Sequence, residues 1–283
     1  MRTRGKGGWP GSTSLAAIAR APMPRLLPAL PLAILLAGCG ASTPPAVLGP
    51  EADFIRAEAY FEDGRYLQAA EAFDAFRLEH PGSDRVDDAI FLLGKSHQKL
   101  GENLLAREEF DRLLRDFPQT AHREAAYFER AMSWMDDSRR PALDPEPTEQ
   151  ALEAFEGYLR TFPDGQHVEE ARANARLCRD KLATKAFLNG QLYLKLKHPG
   201  AARLYFEKSV EILSDSGKAG EALWGIVRSW EMEGKYDEAI EANRRVLEYA
   251  TPERVAADPD LAEIRRQAEA SLARLGAGAA GGG

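Results

Sequence analysis

Two stretches of equal length decide the fold: residues 54–81 (FIRAEAYFEDGRYLQAAEAFDAFRLEHP) and residues 91–118 (FLLGKSHQKLGENLLAREEFDRLLRDFP). They begin 37 residues apart, and their small, glycine and proline positions recur in register. Three further copies follow, and eight extra residues interrupt the first of these, which is the third repeat of the array. Self-similarity at a fixed period of this length is the signature of a repeat protein.

Each recurring position has a physical role in a pair of packed helices. Small residues let the two helices approach closely, a glycine can end the first helix in a left-handed conformation, and a proline ends the second. The pattern resembles the tetratricopeptide repeat (TPR), a helix–turn–helix unit. The sequence therefore predicts an all-α protein, a right-handed α-solenoid of about five such repeats. The positions are the small residues Ala57, Gly94, Ala131 and Gly190 on first helices and Ala69, Ala106, Ala151, Ala202 and Ala239 on second helices, the aromatic residues Tyr60, Trp134, Tyr193 and Trp230, the glycines Gly64, Gly101 and Gly234, and the prolines Pro81, Pro118 and Pro163.

Two departures from the period divide the array. Residues 136–147 interrupt the third repeat between its helices and should form an exposed loop. Residues 168–185 contain no glycine or proline and should lengthen the first helix of the fourth repeat. We expect an N-terminal half at 51–165 with repeats 1–3 and a C-terminal half at 166–252 with repeats 4 and 5. Residues 253–283 are predicted to form a capping helix, at 260–275, and a disordered tail.

The N-terminal segment has the organisation of a secretory leader. Arg25 precedes a twelve-residue apolar run that is too short to span a bilayer but fits a signal-peptide core. The run ends in Leu36-Ala37-Gly38-Cys39, which resembles the lipobox of bacterial lipoproteins. Residues 1–38 are then a signal peptide, with Met23 as the suggested true start, Cys39 is the lipidation site, and residues 39–50 are a flexible tether. The alternative is an ordinary small-residue cleavage site that happens to end in Cys.

Composition excludes several classes of function. The net charge is −7, and cleavage after residue 38 would remove five basic residues and no acidic ones, giving −12, which argues against a nucleic-acid surface. Cys178 is interpreted as a buried thiol and His97 as a structural residue. The sequence shows no phosphate-binding loop, nucleophile elbow or metal motif. We therefore predict a protein that is not an enzyme and has no cofactor beyond the covalent lipid on Cys39.

Lipobox, proline-containing tether and five repeats together resemble the BamD family of outer-membrane assembly lipoproteins, over roughly residues 39–252. Two departures are Asn243, where the fifth repeat usually has an aromatic residue, and Ser214, where the fourth lacks its terminal proline. The most specific stretches are residues 147–155 (PTEQALEAF), Tyr158-Leu159, Phe162-Pro163-Asp164, residues 171–182, residues 191–195 (QLYLK) and Ala201-Ala202.

The resemblance implies a location and a set of partners. The protein would be anchored by lipid in the outer membrane, facing the periplasm, since Gly40 replaces the aspartate that usually retains such lipoproteins in the inner membrane. The C-terminal repeats would bind a BamA-like β-barrel insertase, and the N-terminal repeats would bind unfolded outer-membrane proteins. Accessory lipoproteins of the same machinery are further expected partners.

A binding face is expected on the inner side of the first helices, where such solenoids bind peptides. An aromatic residue lies three residues before the small position in all five repeats, and two hypotheses remain open for this ladder. The rings are either apolar anchors for a ligand or core residues between consecutive helices. The candidate groove residues are Phe54, Glu58, Phe91, Lys95, Phe128 and Met132, and the candidate partner-docking residues are Phe187, Trp224 and Arg228.

Two other classes of protein compete with this interpretation. One is a different TPR envelope lipoprotein, either pilotin-like or a coordinator associated with the Tol–Pal system. The interruption at 136–147 and the long helix at 168–185 argue against it, because a more uniform array is expected there. The other is a peptidoglycan hydrolase, which would need a catalytic domain outside the repeats.

Overall fold

The computed structural model describes residues 49–138, 145–212 and 218–280, with side chains as far as Gly276. All regular secondary structure within these ranges is helical, so the predicted all-α class is confirmed. The predicted leader, Cys39, Ser214 and most of the tether lie outside the described residues. The helices are α1 (Pro50–Glu62), α2 (Tyr66–Glu79), α3 (Val86–Leu100), α4 (Asn103–Asp116), α5 (Arg123–Asp137), α6 (Glu146–Thr161), α7 (Val168–Lys195), α8 (Pro199–Ile212), α9 (Ala219–Met232), α10 (Tyr236–Tyr249), α11 (Pro252–Ala257) and α12 (Asp260–Ala280).

The first ten helices pair into five repeats, in which odd-numbered helices are the first and even-numbered helices the second of each pair. Every helix packs against the next along the chain. The predicted small positions are buried, and their size is required: a Cβ on Gly94 would lie 2.7 Å from the Phe110 ring. Each proline-terminated second helix ends two residues before its proline, as α2 does before Pro81. The predicted TPR solenoid is therefore confirmed.

The turns between paired helices use the left-handed conformation that the glycine pattern predicted. Gly64, Gly101 and Gly234 have φ of 72°, 76° and 70°. The equivalent residue of the fourth repeat is Lys197, which adopts φ 59° despite its side chain. A Cβ in this region costs about 1 to 2 kcal/mol, so the fourth repeat keeps the turn geometry at an energetic cost.

Replacing Lys197 by glycine should therefore stabilise the protein. The relief of strain exceeds the extra chain entropy of glycine, and we expect a net gain of about 0.5 to 1 kcal/mol in the free energy of unfolding. Urea unfolding of both proteins measures it. The matched control is Lys195→Gly, two residues earlier and inside α7, which should instead destabilise by about 1 kcal/mol. Equal losses in both variants would contradict the interpretation.

Helix α7 joins two hydrophobic clusters. Its first half, from Val168 to Cys178, packs with Tyr158 in the cluster of the third repeat. Its second half, from Phe187 onward, packs with α8 and α9 in a cluster that also includes Leu261 and Ile264 of α12. The packing therefore changes partners in the middle of α7, whereas the predicted boundary between residues 165 and 166 lies just before this helix.

The predicted loop at 136–147 and the predicted tail are both shorter than expected. Helix α5 continues to Asp137 and Ser138 is buried, while Pro147 lies in the first turn of α6, where its missing N–H costs nothing. Residues 139–144 lie outside the described residues. Helix α12 continues to Ala280, five residues into the predicted tail, because its alanines are strong helix formers.

The C-terminal helix α12 caps the fifth repeat. Leu261 and Ile264 are buried in the C-terminal cluster, as predicted, and Leu272 is half-buried. The unexpected Asn243 of α10 is fully buried, and its amide donates to Ser271 of α12 at 3.0 Å.

Within the part of the chain that the structure describes, no helix combines the length and apolar character needed to cross a membrane.

Candidate protein-binding surface

The predicted groove residues Glu58, Lys95 and Met132 occupy one equivalent position on the adjacent helices α1, α3 and α5, and all three are partly exposed. Lys95 forms an ion pair with Glu129 of α5. The sulfur of Met132 lies 3.5 Å from the Asn174 amide of α7. These contacts connect successive first helices along one side of the array, so this side presents alternating polar and apolar groups.

The aromatic ladder belongs mainly to the core. Phe54, Phe128 and Phe187 are buried, whereas Phe91 and Trp224 are partly exposed. The ring of Phe54 lies 5.4 Å from that of Phe76 in a T-shaped arrangement. The hypothesis of apolar anchors is therefore corrected at the three buried positions, because their rings are fully used in packing between helices.

A second observation concerns the ladder rings of the first four repeats. The residue that precedes the next first helix lies over each of these rings: the Arg85 guanidinium lies 3.9 Å from the Phe54 centroid, and Lys218 lies 5.5 Å from that of Phe187. The stacked rings of His122 on Phe91 and His167 on Phe128 have centroids 4.4 and 4.3 Å apart. Cationic and imidazole groups bind favourably to aromatic faces. These covering residues were not identified from the sequence, although they recur at one position in the first four repeats.

Successive repeats are also joined by an arginine–tryptophan clamp that sequence reasoning missed. Arg107 of α4 stacks 3.7 Å from the Trp134 ring of α5 and donates to the Ser133 carbonyl at 3.0 Å and to Asp137 at 2.6 Å. The signal was present in the sequence, because an arginine follows the small alanine and a tryptophan lies 27 residues later.

The same clamp recurs in the C-terminal half. Arg203 of α8 lies 3.3 Å from the Trp230 ring of α9 and donates to Glu233 at 3.3 Å. A hydrogen bond from Lys235, together with the charge of Arg203, holds the pKa of the Glu233 carboxyl below its usual value. The last turn of a first helix is thus a docking position for the preceding second helix.

Replacing Arg107 by methionine should destabilise the N-terminal half by about 1 to 2 kcal/mol. The variant keeps an apolar stem over Trp134 but removes the charge-assisted hydrogen bonds to Ser133 and Asp137. Urea unfolding measures the effect. The matched control is Arg115→Met on the same helix, whose side chain is exposed; it should change stability by less than about 0.5 kcal/mol. Equal effects would contradict a role for the clamp.

The predicted docking residues of the C-terminal half differ in accessibility. Phe187 is buried, Trp224 is partly buried in the C-terminal cluster, and Arg228 is exposed on α9. Of the three, Arg228 is therefore the most accessible to a partner, Trp224 is accessible in part, and Phe187 belongs to the core.

Potential reactive groups are committed to structure. Cys178 is buried, and burial raises the pKa of its thiol, which disfavours the nucleophilic thiolate. Among the described residues, Asp53, Glu79 and His80 could together hold a metal ion. Asp53 already accepts from Arg56 at 2.8 Å and pairs with His80 at 3.1 Å.

Fold and surface together define the class: an all-helical TPR protein with its exposed helix faces suited to binding other proteins. The chain belongs to the YfiO family of outer membrane lipoproteins, which matches residues 50–245. This match covers the first four repeats and most of the fifth, and it ends within α10.

Two similar proteins share one name with each other. The outer membrane protein assembly factor BamD of Rickettsia prowazekii (strain Madrid E) is 27% identical over 175 residues, covering 62% of this chain and 70% of that protein. The outer membrane protein assembly factor BamD of Caulobacter vibrioides is 26% identical over 189 residues, covering 67% of this chain and 62% of that protein. The chain thus spans less than two thirds of the Caulobacter protein.

Solved structures of TPR proteins are similar in part. A TPR repeats protein from Bacteroides fragilis has a TM-score of 0.45 at 10% identity, with 78% of this chain and 98% of that chain covered. A TPR protein from Parabacteroides merdae has a TM-score of 0.34 at 19% identity, with 81% and 76% covered. The assignment of the TPR fold therefore rests on the helix pairs described above, and these structures add no argument to it.

Proposed function

We propose that this protein is the TPR lipoprotein subunit of a β-barrel assembly machinery in an outer membrane. The match of residues 50–245, which include the first four repeats and most of the fifth, to the outer membrane lipoprotein family supports it most directly. The names of the two relatives, both assembly factors, point to the same process. The role is that of a scaffold: the protein binds other proteins and positions them, and it catalyses no reaction.

Cys39 is the proposed attachment site of the lipid, and the periplasmic face of the outer membrane is the proposed location. Because acyl chains supply the membrane affinity, Cys39→Ala should move the protein from the membrane fraction to the soluble periplasmic fraction. Fractionation followed by immunoblotting measures this. A variant that stays in the membrane fraction would contradict anchoring through Cys39.

The two halves are proposed to bind different partners. The N-terminal side formed by Glu58, Lys95 and Met132 would receive unfolded outer-membrane proteins, because it offers mixed polar and apolar groups along successive helices. The C-terminal half would bind a BamA-like barrel insertase, with Arg228 as an exposed contact. Accessory lipoproteins of the machinery would complete the complex, and no nucleic acid is expected.

Co-purification tests the proposal. The lipidated full-length protein would be tagged, extracted gently from its native host, and its stoichiometric partners identified by mass spectrometry. A β-barrel protein with periplasmic repeat domains is expected. Arg228→Glu should weaken its recovery, whereas Arg115→Glu, an exposed arginine of the N-terminal half, should not. Recovery of a secretin or a peptidoglycan-linked protein in its place would refute the proposed function.

A further inference from the structure

The second half of α7 carries a row of exposed leucines. Leu188, Leu192 and Leu196 are 48%, 51% and 55% exposed. They are spaced four residues apart, so they lie on one side of the helix, one turn above another. Large apolar side chains in such an array are unusual on a surface that nothing covers.

The repeat pattern identifies what this side of a first helix normally contacts. The positions of Leu192 and Leu196 correspond to Ser133 and Asp137 of the third repeat, two and six residues after the small residue. Arg107 of the preceding second helix, α4, docks on both, at 3.0 and 2.6 Å. This side of a first helix is therefore the docking position for the second helix of the preceding repeat.

The fifth repeat shows the same arrangement. Its residue equivalent to Leu188 is Gly225, which contacts the preceding helix α8 so closely that a Cβ there would lie 2.6 Å from the Phe206 ring. Arg203 of α8 docks on Glu233, the equivalent of Leu196, at 3.3 Å. In the third and fifth repeats, the second helix of the preceding repeat thus occupies the position that lies beside the leucines of α7 in the fourth repeat.

The length of α7 explains why this place is open in the fourth repeat. The preceding second helix, α6, packs on the first half of α7, where Tyr158 joins the cluster of Val168 and Cys178. The second half of α7 instead packs against the following helices, α8 and α9. The first repeat is comparable: no helix precedes α1 among the described residues, and Ile55, the equivalent of Leu188, is 54% exposed.

The charges around the leucines indicate the chemistry of an occupant. Residues 181–206 contain no acidic residue, although the chain as a whole is acidic. Lys185 lies seven residues before Leu192 and Lys195 seven after Leu188, so both bracket the row on its own side. Neither lysine, nor the exposed Lys197, makes an ion pair within the ranges that the structure covers. The segment of α7 that carries the row is thus apolar along its centre and has a lysine towards each end, and Glu149 of α6 lines the same pocket as Lys185.

We propose that this face of α7 is a docking surface for an amphipathic helix of a partner protein, with a leucine-type apolar stripe and acidic flanks. The helix would lie where the second helix of a preceding repeat lies elsewhere in the array. The inference goes beyond the proposed function and does not depend on it. It states which kind of secondary structure binds to this face, whichever protein supplies it.

Peptide binding to the full chain tests the inference. The probe is a labelled synthetic amphipathic peptide, with leucines at i, i+3, i+4 and i+7 and glutamates on the flanks, and the control peptide has lysines in place of the glutamates. To keep the protein free of lipid, Cys39→Ser is used throughout. Fluorescence anisotropy should show binding of the glutamate peptide, weakening with salt, and at least tenfold weaker binding of the lysine peptide.

Variants separate this surface from others. Leu192→Glu should weaken binding of the glutamate peptide at least tenfold, whereas Leu204→Glu on α8, at a leucine 74% exposed, should leave it unchanged. Replacing all three lysines by glutamate (Lys185→Glu, Lys195→Glu, Lys197→Glu) reverses the charge at the ends of the row. The variant should therefore bind the lysine peptide more tightly than the glutamate peptide. Circular dichroism checks that each variant is folded, and the milder Leu192→Ala replaces any that is not.

Several outcomes would overturn the inference. Failure of the glutamate peptide to bind, or binding that Leu192→Glu does not weaken, excludes a helix at this face. Binding to phosphatidylglycerol-containing vesicles that requires Leu192, without peptide binding, assigns the face to a membrane surface. Self-association that Leu192→Glu abolishes assigns it to a second copy of the chain. None of these results bears on whether an insertase co-purifies.

Discussion

Replacing Phe206 by alanine is expected to lower the free energy of unfolding by about 3 to 5 kcal/mol, the usual cost of truncating a fully buried aromatic ring. Phe206 of α8 is buried, and its ring lies 5.8 Å from that of Phe187. It also lies between two glycines of neighbouring helices: a Cβ on either Gly190 or Gly225 would be 2.6 Å from the ring. One ring therefore joins α7, α8 and α9, and its loss leaves a cavity that these backbones cannot close.

Urea unfolding followed by circular dichroism measures this loss, and hydrogen exchange localises it. Because each repeat contacts mainly its neighbours, amide protection should fall in α7–α10 and persist in α1–α4. The matched control is Leu204→Ala on the same helix, at an exposed leucine, which should change stability by less than about 0.5 kcal/mol. A loss no larger than that of the control would contradict the packing described.

A double-mutant cycle tests the contact between the ring and the glycines. Gly190→Ala alone should destabilise by about 1 to 2 kcal/mol, because the added methyl overlaps the ring by more than the helix preference of alanine can offset. In the Phe206→Ala background the same change should be neutral or stabilising, since the methyl then enters the cavity. Additive effects would show that the ring and Gly190 are not in contact.

Replacing Tyr158 by phenylalanine is expected to cost about 2 to 3 kcal/mol, which is large for the removal of one oxygen. The buried hydroxyl donates to Glu124 at 2.7 Å and accepts from the backbone N–H of His167 at 3.0 Å. Glu124 also accepts from the backbone N–H of Gln166 at 2.5 Å. The variant leaves the N–H of His167 without its partner at the turn that leads into α7, and an unsatisfied buried donor costs its full desolvation energy.

The same hydroxyl predicts a dependence on pH. Burial, and then the hydrogen bond to Glu124, raise the pKa of Tyr158 from the ordinary 10.0 to about 12. Since folding favours the neutral phenol, its contribution to stability is complete below pH 10 and is lost as the pH rises from 10 towards 12. Unfolding experiments across this range should show a steeper fall for the native protein than for Tyr158→Phe. The control Tyr236→Phe, at an exposed tyrosine, should behave like the native protein, and parallel curves for all three would refute the prediction.

The fold was predictable because repetition multiplies a weak signal. One small residue followed by a glycine and a proline would say little, but Ala57, Gly64 and Pro81 recur in register along the chain. Each serves a local purpose, either close approach of two paired helices or the end of one helix, and such purposes depend only on neighbouring residues. The left-handed Lys197 escaped this reasoning, because the packing of α7 and α8 imposes the turn on a residue that does not favour it.

The candidate site was predicted less well, because a ring on the inner side of a helix can serve a ligand or the core equally. Burial and packing between helices place Phe54 and Phe128 in the core, where Arg85 and His167 lie over their rings. The covering residues come from the following repeat, and their orientation depends on the turn before it. Position in the repeat predicted which residues share a side, but it could not predict which of them remain exposed.

By itself the sequence determined the class of fold, the number of repeats, the candidate anchor Cys39 and the likeness to a family of outer-membrane lipoproteins, because these depend on local patterns read along the chain. Only the tertiary structure decided which surfaces are open. The leucines of α7 have the spacing of ordinary helix residues, and their exposure follows from the packing, in which none of the described second helices covers them. Likewise Asn243 read as a missing aromatic until α12 supplied Ser271 as its partner. Exposure depends on which helix packs where, and that depends on contacts between residues distant in the sequence.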